Sequence, residues 1–125
     1  MHPPKRILII DDNADVRDLL ALELTECGFT TATAPSGAEG LHRMGAFDPE
    51  VVLCDVVMPE MDAMMFARRL REDARWTHVV LVAFSSAAFA VGALAALTSA
   101  GFLDFVQMPA TIERLCDVCD REVTA

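Results

Sequence analysis

Val51-Val52-Leu53-Cys54-Asp55, followed by Val56-Val57-Met58-Pro59-Glu60-Met61-Asp62, is the stretch from which the fold can be read. Four apolar residues rich in Val predict a strand buried on both faces, and a carboxylate that such a strand would not tolerate inside ends it. Asp55 therefore belongs at the strand's carboxyl end. Pro59 cannot donate to a ladder, so the chain must turn there before the next helix. Open parallel α/β sheets place their ligands beyond the carboxyl ends of strands, which makes Asp55 the first candidate for chemistry. Taken alone, an Asp at such a place can equally well cap a turn.

It is not alone. Arg6-Ile7-Leu8-Ile9-Ile10 is a second apolar strand, ending in Asp11 and Asp12, and Val79-Val80-Leu81-Val82-Ala83-Phe84 is a third, ending in Ser85 and Ser86. If the three lie parallel in one sheet, Asp11, Asp12, Asp55 and Ser85 converge on one small site. Carboxylates so grouped repel one another unless a hard cation holds them together, and Mg²⁺ or Mn²⁺ suits an all-oxygen set.

With these residues in order, the chain resembles the receiver domains of two-component response regulators. The resemblance rests on Asp11-Asp12 after the first strand, and on Asp55 with Met58-Pro59 and Met61-Asp62 behind it. It continues in the hydroxyl of Ser85 and in Ala100-Gly101-Phe102 ahead of a last strand that ends at Met108-Pro109. It implies a phosphoacceptor at Asp55, with Mg²⁺ held by Asp12, Asp55 and the main-chain carbonyl of Val57, and Asp11 helping through water. It also implies that Ser85 is a switch hydroxyl and Phe105 the aromatic whose rotamer follows it. A sensor histidine kinase or phosphotransfer protein would be the phosphoryl donor.

The remaining segments support that architecture. Asn13-Ala14-Asp15 supplies cap chemistry for a first helix, with Val16, Leu19, Leu20, Glu23, Leu24 and Cys27 at helical spacing and Gly28 closing it. Thr30 to Ala34 predicts a short, less apolar edge strand. Ser36-Gly37-Ala38-Glu39 has capping-box spacing and opens a helix through Met44, with Gly45 stopping it. A third helix from Asp62 to Glu72 sets Met65, Phe66 and Leu70 on one side and Arg68, Arg69 and Arg71 largely on the other. A fourth is expected from Ala87 to Ala100, a fifth strand from Leu103 to Gln107, and a last helix from Thr111 to Glu122 with Ile112, Leu115, Cys116 and Cys119 facing in. Strict alternation predicts an α/β, flavodoxin-like, doubly wound five-stranded parallel sheet of order 2-1-3-4-5 with five helices.

Composition narrows the function classes. The 125 residues carry a net charge of −9, which argues against a sequence-independent grip on nucleic acid. Four cysteines are expected to be reduced and to serve as small apolar residues. From Val79 to Leu103 no residue is charged; a buried strand followed by an Ala-rich helix explains this run better than a membrane span. Met1-His2-Pro3-Pro4-Lys5-Arg6 leads straight into the first strand, so residues 1–125 are expected to form a single cytoplasmic receiver domain without signal peptide or output domain.

Two positions depart from the family pattern. Met108 stands where the family has a Lys before the proline, and Ala63 replaces a Gly. Lys5, the only lysine, lies at the far end of strand one, about 20 Å from Asp12 at ~3.3 Å per residue. Three readings follow: a phosphorylatable receiver, a pseudo-receiver that signals by protein contact alone, and an unrelated Mg²⁺-dependent phosphatase. The fourth helix is expected to turn Val91, Leu94, Leu97 and Thr98 to the sheet and Ala88, Phe89, Gly92, Ala96 and Ser99 outward. That face, with the fifth strand and helix, is expected to meet a downstream protein or a second copy.

Overall fold

The computed structural model describes residues 5–58, 60–86 and 92–124. Five strands, β1 (Arg6–Ile10), β2 (Thr30–Ala34), β3 (Val51–Asp55), β4 (Val80–Ser85) and β5 (Phe102–Gln107), alternate with α1 (Ala14–Glu26), α2 (Gly37–Phe47), α3 (Ala63–Arg71), α4 (Ala93–Ala100) and α5 (Ile112–Thr124). A single 3₁₀ turn, Ala74–Trp76, precedes β4. The sheet is wholly parallel, in the order β2-β1-β3-β4-β5.

Alternation along each strand divides the core in two. Leu8, Ile10, Val52, Cys54, Leu81 and Ala83 point to the side covered by α2, α3 and α4, where they meet Met44, Phe66, Leu70 and Leu97. Ile7, Ile9, Val51, Leu53, Val82 and Phe84 point to the other side and meet Leu20 and Leu24 of α1 and Leu115, Val118 and Cys119 of α5. A strand buried on both faces must be apolar throughout, which is why β1 and β3 read as continuous hydrophobic runs. Gly40 lets α2 lie on β1, since a Cβ there would collide with Ile10.

Helix ends follow local chemistry. The Asn13 side chain accepts from the N–H groups of Asp15 and Val16, Ser36 from that of Glu39, and Asp62 from that of Met65. Thr111 accepts from the N–H of Arg114 and so caps α5. At α2 the expected stop fails: Gly45 lies inside the helix, which runs to Phe47 and ends on Asp48 in the left-handed region, φ 52°. A single Gly costs about 1 kcal/mol in a helix, too little to end one that packs against the sheet.

Other expectations need correction. Leu19 is 54% exposed, Met65 39% and Leu94 44%, and Thr98 is exposed as well; helical spacing gave the stripe but placed its edge one residue too wide. Helix α4 starts at Ala93, after Gly92 at φ 88°, so Gly92 lies outside the helix that carries Ala96. Ala88, Phe89 and Val91 fall outside the described residues. β5 begins at Phe102, and the register shift against Leu81 and Val82 leaves Leu103 without a partner and 61% exposed. Arg71 is half-buried rather than solvated and donates to the carbonyls of Trp76 and Val79. The cysteines are not all reduced: Cys27 and Cys116 are joined in a disulfide, while Cys54 and Cys119 are buried free thiols. No helix among the described residues is long and apolar enough to cross a membrane.

Candidate functional site

Strands β1 and β3 are neighbours, with Ile10 opposite Cys54, so the residues that follow them meet at one sheet edge. Asp11 is buried, Asp12 exposed and Asp55 half-buried, and each offers a carboxylate oxygen within 4.8 Å of the others. Asp11 is fixed from both directions: its N–H donates to the Ala34 carbonyl at 3.2 Å, and its Oδ1 accepts from the Asn13 N–H at 3.0 Å. Its own carbonyl accepts from Arg17 Nη1 at 2.8 Å. Asp55 Oδ1 accepts from the Val57 N–H at 3.4 Å, and the Val57 side chain stands in solvent.

The electrostatics of the cluster are those of crowded acids. Burial pushes the Asp55 carboxyl up to about 7, and the charge of Asp11 adds to the push. Burial raises Asp11 as well, partly offset by its bond to the Asn13 N–H. Among the described residues no Lys or Arg forms an ion pair with any of the three. Lys5 is bound to Asp120 at 2.9 Å, at the other end of β1, as its sequence position requires. Three oxygen donors without a fixed cation fit a hard divalent ion, whose charge would offset their repulsion.

The other expected site residues come from β4 and β5. Ser85 is buried at the tip of β4, paired in register with Gln107. Phe105 lies one strand further out, opposite Ala83, half-buried against the core under α3 and α4. Met108 donates its N–H to the Ser85 carbonyl at 2.8 Å, and its side chain packs against the cluster under α1 and α5. The Met108-Pro109 peptide is cis.

Two further side chains near the site, Gln107 and Arg17, lie outside the sequence expectation. Gln107 Nε2 donates to the Ser85 carbonyl at 3.0 Å and to the Met108 carbonyl at 3.2 Å, tying the tips of β4 and β5 together. Nothing in the sequence marks an exposed Gln for such a role. Arg17 was legible in principle, since the second turn of a helix folds back over the loop that precedes it.

Comparison with known proteins agrees with this geometry. Residues 7–120 match the family described as response regulator receiver domain. The chain is 36% identical over 111 residues to Regulatory protein AtoC of Escherichia coli, covering 88% of this chain and 23% of that one. It is 35% identical over 103 residues to an uncharacterized 14.6 kDa protein of Leptolyngbya boryana, covering 82% and 78% respectively. It thus spans about a quarter of the length of AtoC, but most of the second protein. Among solved structures, a putative response regulator from Chloroflexus aurantiacus superimposes with a TM-score of 0.89 at 24% identity, covering 98% of this chain and 99% of that one. Vibrio cholerae chemotaxis protein CheY4 does so with 0.88 at 20% identity, covering 94% and 98%. The shared fold and the extent of the family match together establish that this chain belongs to the response regulator receiver family.

Proposed function

We propose that the chain is a phosphorylatable receiver that takes a phosphoryl group on Asp55. The observation that carries this reading is the convergence of Asp11, Asp12 and Asp55 at one strand edge without an ion-paired cation among the described residues. Receiver domains are signalling modules that work with histidine kinases or phosphotransfer proteins, and the phosphoryl donor here would be one of these. Asp12, Asp55 and the Val57 carbonyl would hold Mg²⁺, with Asp11 acting through water. The ion would supply charge neutralisation for the transferring group.

A carboxylate oxygen of Asp55 attacks phosphorus as the bond from phosphorus to the donor breaks, leaving an acyl phosphate on Asp55 and a released donor group. Asp11 and Asn13 hold the neighbouring loop, so the nucleophile meets a preorganised set of oxygens. Ser85 would then donate its hydroxyl to the phosphoryl oxygens, and Phe105 would adjust its packing. Met108 brings no charge, so this coupling is the weak step. The altered state would pass to a downstream protein or a second copy through α4, β5 and α5. A cytoplasmic location suits such a partner set.

Intact mass after incubation with acetyl phosphate and Mg²⁺ tests the proposal. One phosphoryl adduct is expected on the wild type and none on Asp55→Asn. Absence of an adduct with every donor would favour the pseudo-receiver, for which the uncharged Met108 is the specific observation.

A further inference from the structure

Helices α1 and α5 lie side by side under the sheet and are joined covalently. Cys27 caps the C-terminus of α1, its N–H bonded to the carbonyls of Glu23 and Leu24. Its sulfur is bonded to that of Cys116 in the second turn of α5, across a Cα separation of 6.4 Å, within the range that a disulfide spans. The partners are 89 residues apart in sequence, so the bond closes a loop that contains β2 through β5. Cys27 is exposed and Cys116 half-buried, which leaves the bond open to small molecules from solvent. The other two cysteines are buried. Cys119, one turn beyond Cys116, has its thiol pushed up to about 12 by burial and then by Asp104 and Asp120, which keeps it protonated and out of exchange.

We infer that Cys27 and Cys116 form a reversible thiol-oxidation site, closed by a low-molecular-weight disulfide such as oxidised glutathione and reopened by reduced glutathione. The Cys27 thiolate attacks one sulfur of oxidised glutathione, breaking its S–S bond and releasing one glutathione thiolate. The Cys116 thiolate then attacks the Cys27 sulfur of the mixed disulfide and releases the second. The protein pair loses two electrons, oxidised glutathione gains them, and the two cysteine protons pass to the released thiols.

Closure fixes the elements that lead away from the site. α1 starts after Asp11 and Asp12 with one residue between, and α5 after Met108-Pro109 with two between. Joined, they hold Leu20 and Leu24 against Leu115 and Val118; opened, α5 loses this covalent tie and keeps its packing together with the Lys5–Asp120 and Arg114–Asp104 ion pairs, among other contacts. This site stands on the cysteine geometry and is independent of phosphoryl chemistry.

The test equilibrates the folded chain without oxygen at pH 8 in glutathione buffers of stepped ratio, then traps thiols under denaturing conditions and counts them by mass. Two alkylated cysteines, Cys54 and Cys119, are expected in oxidising buffers and four in reducing ones. The melting temperature should fall by roughly 10–15 °C on opening, because the loop closed is long. Cys27→Ser and Cys116→Ser should each melt like the reduced wild type in every buffer. Four alkylated thiols at all ratios would overturn the inference, as would a bond that survives millimolar dithiothreitol in the folded chain, or one that peptide mapping assigns to Cys54 or Cys119.

Discussion

Asp11 and Asp55 leave adjacent strands at the same edge of the sheet, and the charge of Asp11 makes Asp55 harder to ionise. Burial is the largest cause for both; the charge of Asp11 then helps to lift Asp55 to about 7, whereas Asp11 is raised further by Asp12 and lowered by its bonds to the Asn13 N–H and to Asp55. Asp55 therefore holds a proton near neutrality, which a divalent cation bound there would displace.

Stability follows from that proton. The folded-state value for Asp55 lies above the ordinary 3.8, so the metal-free fold binds this proton more tightly than the unfolded chain does. The resulting stabilisation is full below about pH 4 and is lost as pH rises through about 7. Relative to Asp55→Asn, which lacks the titration, the metal-free wild type should lose melting temperature between pH 5 and pH 8. Millimolar Mg²⁺ should restore it, more at pH 8 than at pH 6. Scanning calorimetry on both proteins, with Asp12→Ala as a site control, measures this; an equal Mg²⁺ gain at both pH values would count against the coupled cluster.

Asp55→Asn itself removes a charge from a crowded site without changing its shape. Its metal-free melting temperature at pH 8 should exceed that of the wild type by a few degrees, as relief of repulsion within a half-buried cluster implies. It should also lose the response to Mg²⁺. A variant less stable than the wild type at pH 8 would mean that the carboxylate makes bonds that outweigh its repulsion.

Arg71 offers a test away from the site. Its Nη1 donates to the Trp76 carbonyl and its Nη2 to the Val79 carbonyl at 2.8 Å, and together they close the turn that feeds β4. Arg71→Met keeps much of the stem but leaves both carbonyls without this donor, at a cost of about 2–3 kcal/mol. Urea denaturation should show a lower midpoint with an unchanged slope. Arg68→Met and Arg69→Met, on the exposed face, should change stability by less than about 0.5 kcal/mol.

The outward leucines near the last strand test the proposed contact face. Leu103 stands out because the register shift leaves it unpaired, and Leu94 lies on the outer side of α4. Leu103→Glu and Leu94→Glu should each weaken association at high protein concentration by tenfold or more while leaving the melting temperature within a degree or two. Sedimentation equilibrium decides it. A wild type that stays monomeric at millimolar concentration, and whose binding to a purified partner neither change alters, would remove this face from consideration.

How much of this was legible depends on where the information sits. β1 and β3 could be read residue by residue, because a strand buried on both faces has no room for polar residues, and the acids that end them mark the site's edge. Ser36 and Asp62 announced their helices through side chains that cap their own backbone. Leu19, Met65 and Leu94 were misplaced because helical spacing fixes a stripe but not how far the neighbouring layer reaches over its edge. The Cys27–Cys116 bond could not be read, since it depends on α1 and α5 being neighbours at a particular height. Gln107 was hidden for a similar reason: an exposed amide bridges two strand tips only once their register is known.

Under the proposed function Met108 is the weak point of the switch, and its replacement gives the most direct test of it. The side chain packs against the cluster under α1 and α5 while its N–H holds the Ser85 carbonyl. Position 108 is therefore anchored by its backbone whatever side chain it carries. Met108→Lys gives up part of that packing, at about 1 kcal/mol, and introduces a cation at the end of β5 beside an acidic cluster. The added charge should lower the pH at which Asp55 ionises and shrink the Mg²⁺ gain in melting temperature, because part of the repulsion is already offset. Phosphoryl uptake from acetyl phosphate should change little, since the proposed phosphoacceptor and metal donors are untouched, whereas the proposed response at Ser85 and Phe105 should grow. Amide chemical shifts along β4 and β5, recorded before and after phosphorylation, read that response. Small shifts in the wild type and larger ones in Met108→Lys are expected; equal shifts in both would show that the missing charge is not what limits the switch.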